Sequence, residues 1–461
     1  MPDNRSAPRP LRVAIIGSGP SGLYAADALT KHDEVEVSID VFDRLPAPFG
    51  LARYGVAPDH LSLRSVRNTL ETVLDDPAVR LLANVEVGTD IGVEELHRFY
   101  DAIVFTYGAA TDQRLEIPGE DLDGTISATE LVNWYCGHPD AAGERVEAAI
   151  TAATSAVVIG VGNVAVDVTR VLSKTAPELD HTDMPQHVLD LLAATSITSV
   201  TVLGRRGPAQ AAFTTKELKE LGELADADVL VDAHDLALDP VSEADIEGER
   251  RRERNMEVLE EWSTRTPARG RRTIRLRFFS QPVEITGPDR VTGVRVERTR
   301  LDADGSLHGT GEYTTIDADL VVRSVGYQGM PLAGVPFDEA RGVVPHAEGR
   351  VVDDGTVVPG EYVAGWIKRG PTGIIGTNKK DATATVRSLL ADAAQLPRAA
   401  QPDPDAVTTH LSERGVRYVD VDGWHAIDAA EIALGESKGR PRTTLHDREA
   451  LLESARRGVR D

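Results

Sequence analysis

The sequence reads as an α/β protein of the doubly wound class, built from two Rossmann-like dinucleotide-binding domains. Three observations carry this. Strand and helix patterns alternate along the chain rather than segregating into separate regions. An apolar strand, a glycine-rich turn and an amphipathic helix follow one another in "LRVAIIGSGPSGLYAADAL" and again in "SAVVIGVGNVAVDVTRVLSK", with Gly17 and Gly160 opening the two turns 143 residues apart. The length, 461 residues, exceeds what one ordinary core accommodates, so two or three domains are expected.

The elements follow in order. The first ten residues form a loose arm, followed by a strand over 11–16, a glycine-rich turn and a helix over 21–31. A second strand over 36–42 ends at Asp43. Residues 45–60, "LPAPFGLARYGVAPDH", are rich in Pro and Gly and predict an ordered loop. A helix over 61–74, a strand over 80–87 and a buried strand within 100–110, closed by a small-residue turn, complete the first part. The second unit starts at Ser155 and runs through a polar helical insert to a strand over 199–203. Residues 243–272 are highly charged and predict helix followed by loop. Strands and turns alternate over 273–325, and "DLVVRSVGYQG" (319–329) repeats the layout of 100–110. Residues 360–386 read as strand, glycine-rich turn and helix, and the tail from about residue 399 contains helical stretches.

Composition excludes several classes. Hydrophobic residues make up 41% and charged residues 27%, a globular balance rather than a disordered one. Fifty Lys and Arg against 74 Asp and Glu leave a formal charge of −24, which argues against broad nucleic-acid binding. No apolar run reaches the roughly 18 residues of a spanning helix. The apolar N-terminal region is split by its Gly/Ser/Pro turn and lacks a clear cleavage site, so a cytoplasmic location is expected. Cys136 is the single cysteine, which leaves no internal disulfide, CxxC pair or cysteine-ligated iron–sulfur cluster.

Gly17, Gly19 and Gly22 in "GSGPSG" form the G-x-G-x-x-G pattern between strand and helix. The first glycine permits a tight turn, the second lets backbone approach a pyrophosphate, and the third allows close helix–strand packing. Asp43, 26 residues after Gly17, is placed to accept hydrogen bonds from a ribose. The second cradle, "GVGNVA", has Gly160, Gly162 and Ala165, and its second strand ends at Gly204-Arg205-Arg206 with no acidic residue. A carboxylate holds a ribose diol and repels a 2′-phosphate; an arginine does the reverse. The first cradle therefore fits FAD or NAD, and the second fits NADP.

With these features in place, the chain closely resembles the adrenodoxin-reductase-like ferredoxin–NADP reductases of mitochondria and actinobacteria, the bacterial members most of all. The resemblance is carried by "PFGLARYGVAPDH" (48–60), "GNVAVDVTRVL" (162–172), "GRRGPAQAAFTTKELKEL" (204–221) and "GWIKRGPTGIIGTNKKDA" (365–382). It implies an FAD domain from both chain ends (1–108 and 331–461, the latter with a C-terminal extension) and an inserted NADP domain (109–330). It also implies hydride passage from NADPH to FAD and single-electron delivery to a ferredoxin-type iron–sulfur protein.

Carried over by residue, the resemblance places Gly17, Gly19, Pro20 and Gly22 at the FAD pyrophosphate and Asp43, where the family usually has glutamate, at the ribose. Leu51 and Val85 line the FAD, and Trp366, Gly373, Ile374 and Ile375 lie at the isoalloxazine. For NADP it implies Gly162, Asn163, Val164 and Ala165, then Arg205 and Arg206, then Glu217, with Gly373 near the nicotinamide. His60, at a helix start, and Glu217, in a first helical turn, are the candidates for positioning or proton relay. An acidic ferredoxin needs a local basic patch on this acidic chain. The candidates are Arg250, Arg251, Arg252 and Arg254 and the run Arg269, Arg271, Arg272, Arg275 and Arg277. The interleaved glutamates also fit a solvated charged helix.

A disulfide reductase lacks its cysteines here, as does the FAD subunit that feeds glutamate synthase. The remaining alternatives are an NADPH oxidoreductase or electron-supplying subunit with another acceptor, and a monooxygenase-type flavoprotein.

Overall fold

The computed structural model describes residues 9–268, 271–373 and 375–457. The chain forms two compact units. The first takes residues up to Thr111, Cys136–Pro139 and Tyr327 onward; the second takes Asp112–Tyr135 and Asp140–Gly326.

The first unit is built on a seven-stranded sheet. Its order is His346–Ala347, Arg350–Asp353, Thr356–Val363, Ala102–Phe105, Leu11–Ile16, Val37–Asp43, Val79–Ala83. The last five strands are mutually parallel, and the two at the opposite edge pair antiparallel. All six residues of Leu11–Ile16 are buried, as expected for a parallel strand covered on both faces. One polar exception sits in the adjacent strand. Asp40 is buried and accepts from Arg12 at 2.5 Å, Arg80 at 2.8 and 2.9 Å, and the Tyr100 hydroxyl at 2.6 Å. Two guanidiniums and a phenol replace the water its carboxylate loses.

The helix after the first turn runs Pro20–Thr30, one residue earlier than the glycine pattern suggests. Proline suits the first helical position because its missing N–H would have no intrahelical partner. The helix expected over 61–74 is broken at Ser65 into Leu61–Arg64 and Val66–Leu74. Ser65 Oγ donates to Ser62 O at 2.7 Å, and Leu61 and Leu63 stay exposed, whereas Leu70, Val73 and Leu74 are buried. The first turn does not share the apolar stripe, and the serine offers its backbone an alternative bond. The strand expected over 80–87 ends at Ala83, because Asn84 takes φ +57° and turns the chain. Three helices, Pro404–Glu413, Val421–Glu436 and Arg448–Arg457, form the tail. Asp403 and Asp420 cap the first two with their side chains.

The second unit carries an all-parallel six-stranded sheet in the order Thr125–Ser127, Leu320–Arg323, Ser155–Ile159, Ser199–Leu203, Arg272–Arg277, Ala227–Val231. Beside it lies an antiparallel meander of Ser280–Thr286, Gly293–Leu301 and Leu307–Asp317. The charged stretch forms the helix Arg250–Ser263, anchored by buried Met256, Leu259 and Trp262 on one face. Both sheets bear the strand–turn–helix unit read from the sequence. Among the described residues no helix is long and apolar enough to cross a membrane.

Candidate dinucleotide-binding sites

The three glycines of the first cradle divide their tasks by space. Gly17 adopts φ +114°, and a Cβ there would stand 2.8 Å from Thr106 O. A Cβ on Gly22 would lie 1.9 Å from Gly17 O, so the helix start could not pack as it does. At Gly19 the nearest atom to a Cβ would be Gly50 Cα, 3.9 Å away. Its surface is open, and it stands at the N-terminus of Pro20–Thr30 with no side-chain cap. The first amide groups of that helix remain for an anion.

Asp43 does more than was expected of it. Its Oδ2 accepts from Ser18 N at 2.9 Å and Ser18 Oγ at 2.5 Å, and its Oδ1 accepts from Leu45 N at 2.9 Å. An ionised carboxylate has about four acceptor positions; three are used, two of them bracing the glycine turn through Ser18. Val85 is buried, and its N–H bonds Asp43 O at 2.8 Å. Leu51, half-buried, opens the short helix Leu51–Tyr54 after Gly50, whose φ is +47°. His60 is buried and precedes the helix Leu61–Arg64. Tyr107 lies just past the strand Ala102–Phe105, and burial pushes its phenol pKa well up, keeping it neutral.

The turn that opens at Gly365 closes on the same cradle. Gly365 has φ +82°, and a Cβ there would lie 2.3 Å from Ser21 Oγ. Trp366 begins the helix Trp366–Arg369; its ring lies 5.4 Å from that of Tyr327, tilted by 36°. The indole Nε1 is buried and has no hydrogen-bond partner among the described residues. Gly373 has φ +86°, Ile374 lies outside the described residues, and Ile375 starts the helix Ile375–Asp392. Two residues missed in the sequence hold this turn. Asp381 accepts from Gly365 N at 2.6 Å and from Lys368 Nζ at 2.8 Å; buried Lys368 also donates to Thr385 Oγ1 at 3.0 Å. No helical or strand period links residues 368 and 381, so only the folded turn identifies the pair.

The second cradle repeats the logic. Gly160 has φ +133°, and a Cβ would meet Ser324 O at 2.1 Å. A Cβ on Gly162 would meet nothing within 4 Å. Gly162 precedes the helix Asn163–Ser173, in which Val164 is half-buried and Ala165 fully buried. Asn163 Oδ1 accepts from Thr214 N at 2.8 Å, tying the cradle to the helix Thr215–Leu221. Thr214 caps that helix through Glu217 N at 3.3 Å. Glu217 is buried in its first turn, 3.7 Å from the Arg170 guanidinium. Arg205 and Arg206 are both exposed, and neither guanidinium forms an ion pair among the described residues.

Several arginines of the basic patch are tied to neighbouring backbone. Arg251 donates to Ala211 O and Phe213 O at 3.2 and 2.9 Å, and Arg252 to Asp245 O at 2.7 Å. Arg272 donates to Ser173 O and Lys174 O at 3.0 and 2.7 Å, satisfying carbonyls where the helix Asn163–Ser173 ends. Arg271 and Arg275 face Asp228 and Asp232, Arg277 is half-buried, and Arg269 lies outside the described residues. Arg250 and Arg254 are the exposed members of the first cluster.

Residues 15–83 match the family described as an NAD(P)-binding Rossmann-like domain. The chain is 42% identical over 459 residues to the NADPH-ferredoxin reductase FprA of Mycobacterium tuberculosis, covering 96% of this chain and 99% of that one. It is 40% identical over 460 residues to the mitochondrial NADPH:adrenodoxin oxidoreductase of Homo sapiens, covering 96% and 91%. The solved structure of M. tuberculosis FprA in complex with NADPH aligns with a TM-score of 0.90 at 41% identity, over 97% of this chain and all of that chain.

Proposed function

The chain belongs to the adrenodoxin-reductase-like ferredoxin–NADP reductase family, and from that membership we propose that it passes reducing equivalents from NADPH through FAD to a ferredoxin. Bound FAD supplies the conversion of one hydride into two single electrons. The protein's residues bind, orient and discriminate. The observation that carries the reading is the contrast between the two strand ends: Asp43 at the first, two exposed unpaired arginines at the second.

In this reading Gly17, Gly19, Pro20 and Gly22 hold the FAD pyrophosphate. The acceptor position left on Asp43 would take a ribose hydroxyl. Leu51 and Val85 line the FAD. Trp366, Gly373 and Ile375 are assigned to the ring system, and the unpartnered indole N–H supports a polar neighbour there. Gly162, Asn163, Val164 and Ala165 hold the NADPH pyrophosphate, and Arg205 and Arg206 hold its 2′-phosphate. Glu217 is assigned to the nicotinamide end. Hydride transfer itself needs no acid or base, so His60 and Glu217 act by position rather than by obligatory proton transfer. The acceptor is assigned as a ferredoxin in the bacterial manner, rather than an adrenodoxin.

The test is NADPH-driven cytochrome c reduction with and without added ferredoxin. Strong dependence on ferredoxin is expected; a rate indifferent to it contradicts the assigned acceptor. Charge reversal at Arg250 and Arg254 together is expected to slow ferredoxin reduction and flatten its salt dependence, with ferricyanide reduction unchanged. An unchanged salt profile removes this surface from the docking site.

The glycines give a paired prediction. Gly22→Ala places a methyl 1.9 Å from backbone, so the variant is expected to accumulate without flavin or not at all. Gly162→Ala meets no protein atom within 4 Å, so wild-type flavin content and melting temperature are expected, with weakened NADPH binding. Absorbance spectra and NADPH titration separate the two outcomes.

A further inference from the structure

The arginine turn is held from behind by a set of buried contacts that its own sequence does not announce. Thr299 Oγ1 donates to Arg205 O at 2.6 Å, and Phe279 N donates to Arg206 O at 3.0 Å. Thr299 N in turn donates to Phe279 O at 2.9 Å. Both arginine carbonyls are therefore fixed by one corner of the neighbouring antiparallel meander. The ring of Phe279 fills the space over Gly207, where a Cβ would stand 2.5 Å from Cζ.

Two irregularities produce this corner. Phe279 adopts φ +50°, a left-handed conformation uncommon for a bulky side chain. Such strain persists only where the surroundings over-determine it, and it concentrates at functional sites. The strand Gly293–Leu301 shifts register between Glu297 and Thr299, against its partner Leu307–Asp317. A bulge re-aims side chains. Arg298, within the shift, lies over the Phe279 ring at 5.4 Å and pairs with buried Asp235, which also accepts from Phe278 N at 3.1 Å. Thr299, next in the chain, is buried and directs its hydroxyl to the arginine turn.

We propose that this corner, through Thr299 and Phe279, is a specificity-determining brace that holds Arg205 and Arg206 in the geometry that recognises a 2′-phosphate. The inference rests on the assignment of those arginines to NADPH. Thr299 touches no cofactor in this account; it is a positioning residue. Its loss takes away preorganisation of the two guanidiniums and leaves the pyrophosphate cradle intact.

The test compares Thr299→Val, which keeps the shape and removes the hydroxyl, with Thr299→Ser, which keeps the hydroxyl. For the valine variant the KM for NADPH is expected to rise roughly three- to tenfold, with kcat and the NADH parameters unchanged. Affinity for 2′,5′-ADP should fall by the same factor while that for 5′-AMP stays the same, and the serine variant should regain the wild-type values. Should the valine variant not fold, Thr299→Ala carries the same comparison. An unchanged NADPH/NADH ratio in the hydroxyl-free variant overturns the proposal, and so does an equal loss for both nucleotides. Arg205→Ala measured alongside separates the levels. If it too leaves the ratio unchanged, the 2′-phosphate assignment fails; if it shifts the ratio and the threonine variants do not, only the brace fails.

Discussion

Replacing Glu431 by leucine should unfold or strip the flavin-binding unit, at a cost of about 3–5 kcal/mol. Glu431 and Arg53 are both fully buried, 378 residues apart in sequence. The Glu431 carboxylate accepts from both terminal nitrogens of Arg53, from Arg442 at 3.0 Å and from Leu445 N at 2.9 Å. Burial alone would lower the Arg53 pKa; Glu431 overrides it and keeps the guanidinium charged. Without the glutamate, that charge is left beside the rings of Tyr54 and Trp424 with no counter-ion among the described residues. Arg53 lies two residues beyond Leu51 in the loop assigned to FAD, so flavin retention should fall together with stability. Thermal unfolding followed by flavin fluorescence measures both. The double variant Arg53→Met/Glu431→Leu should recover most of the loss, because two apolar side chains can replace a buried ion pair. A single Glu431→Leu variant with wild-type melting and flavin content contradicts the account.

The second large effect concerns nucleotide choice. Alanine at Arg205 or at Arg206 should each weaken NADPH binding by roughly 10- to 100-fold, since a charge-assisted hydrogen bond contributes about 1.5–3 kcal/mol. NADH, with no 2′-phosphate to meet, should be barely affected. Together the two changes should abolish the preference for NADPH. The result is read as KM for each nucleotide with ferricyanide as acceptor, which keeps the ferredoxin surface out of the measurement. Equal losses for NADPH and NADH would place these arginines in the scaffold instead.

What the sequence made legible follows from the range of each interaction. The glycine cradles are local: Gly17, Gly22 and Gly160 are required by backbone atoms close around one turn, and the pattern that encodes them is short. The contrast of Asp43 with Arg205-Arg206 was legible for the same reason, because each stands at the end of a recognisable strand. Contacts made between distant segments were not. Arg53 meets Glu431, Lys368 meets Asp381 and Thr299 meets Arg205 only after the chain has folded, and no periodicity links them. The bracing role of Asp43 toward Ser18 escaped because a carboxylate at that position already had a ligand-facing explanation. The break at Ser65 escaped because helix propensity alone favours continuity, while exposure of Leu61 and Leu63 shows that burial did not enforce it. Arg251 and Arg272 look like surface in a polar stretch, yet both satisfy carbonyls of neighbouring elements.

The assignment of FAD to the first cradle and NADPH to the second is tested by one anaerobic titration of the purified protein. The account predicts a yellow protein whose flavin absorbance is bleached by NADPH at far lower concentration than by NADH. A colourless protein, or one bleached equally by the two nucleotides, would contradict it.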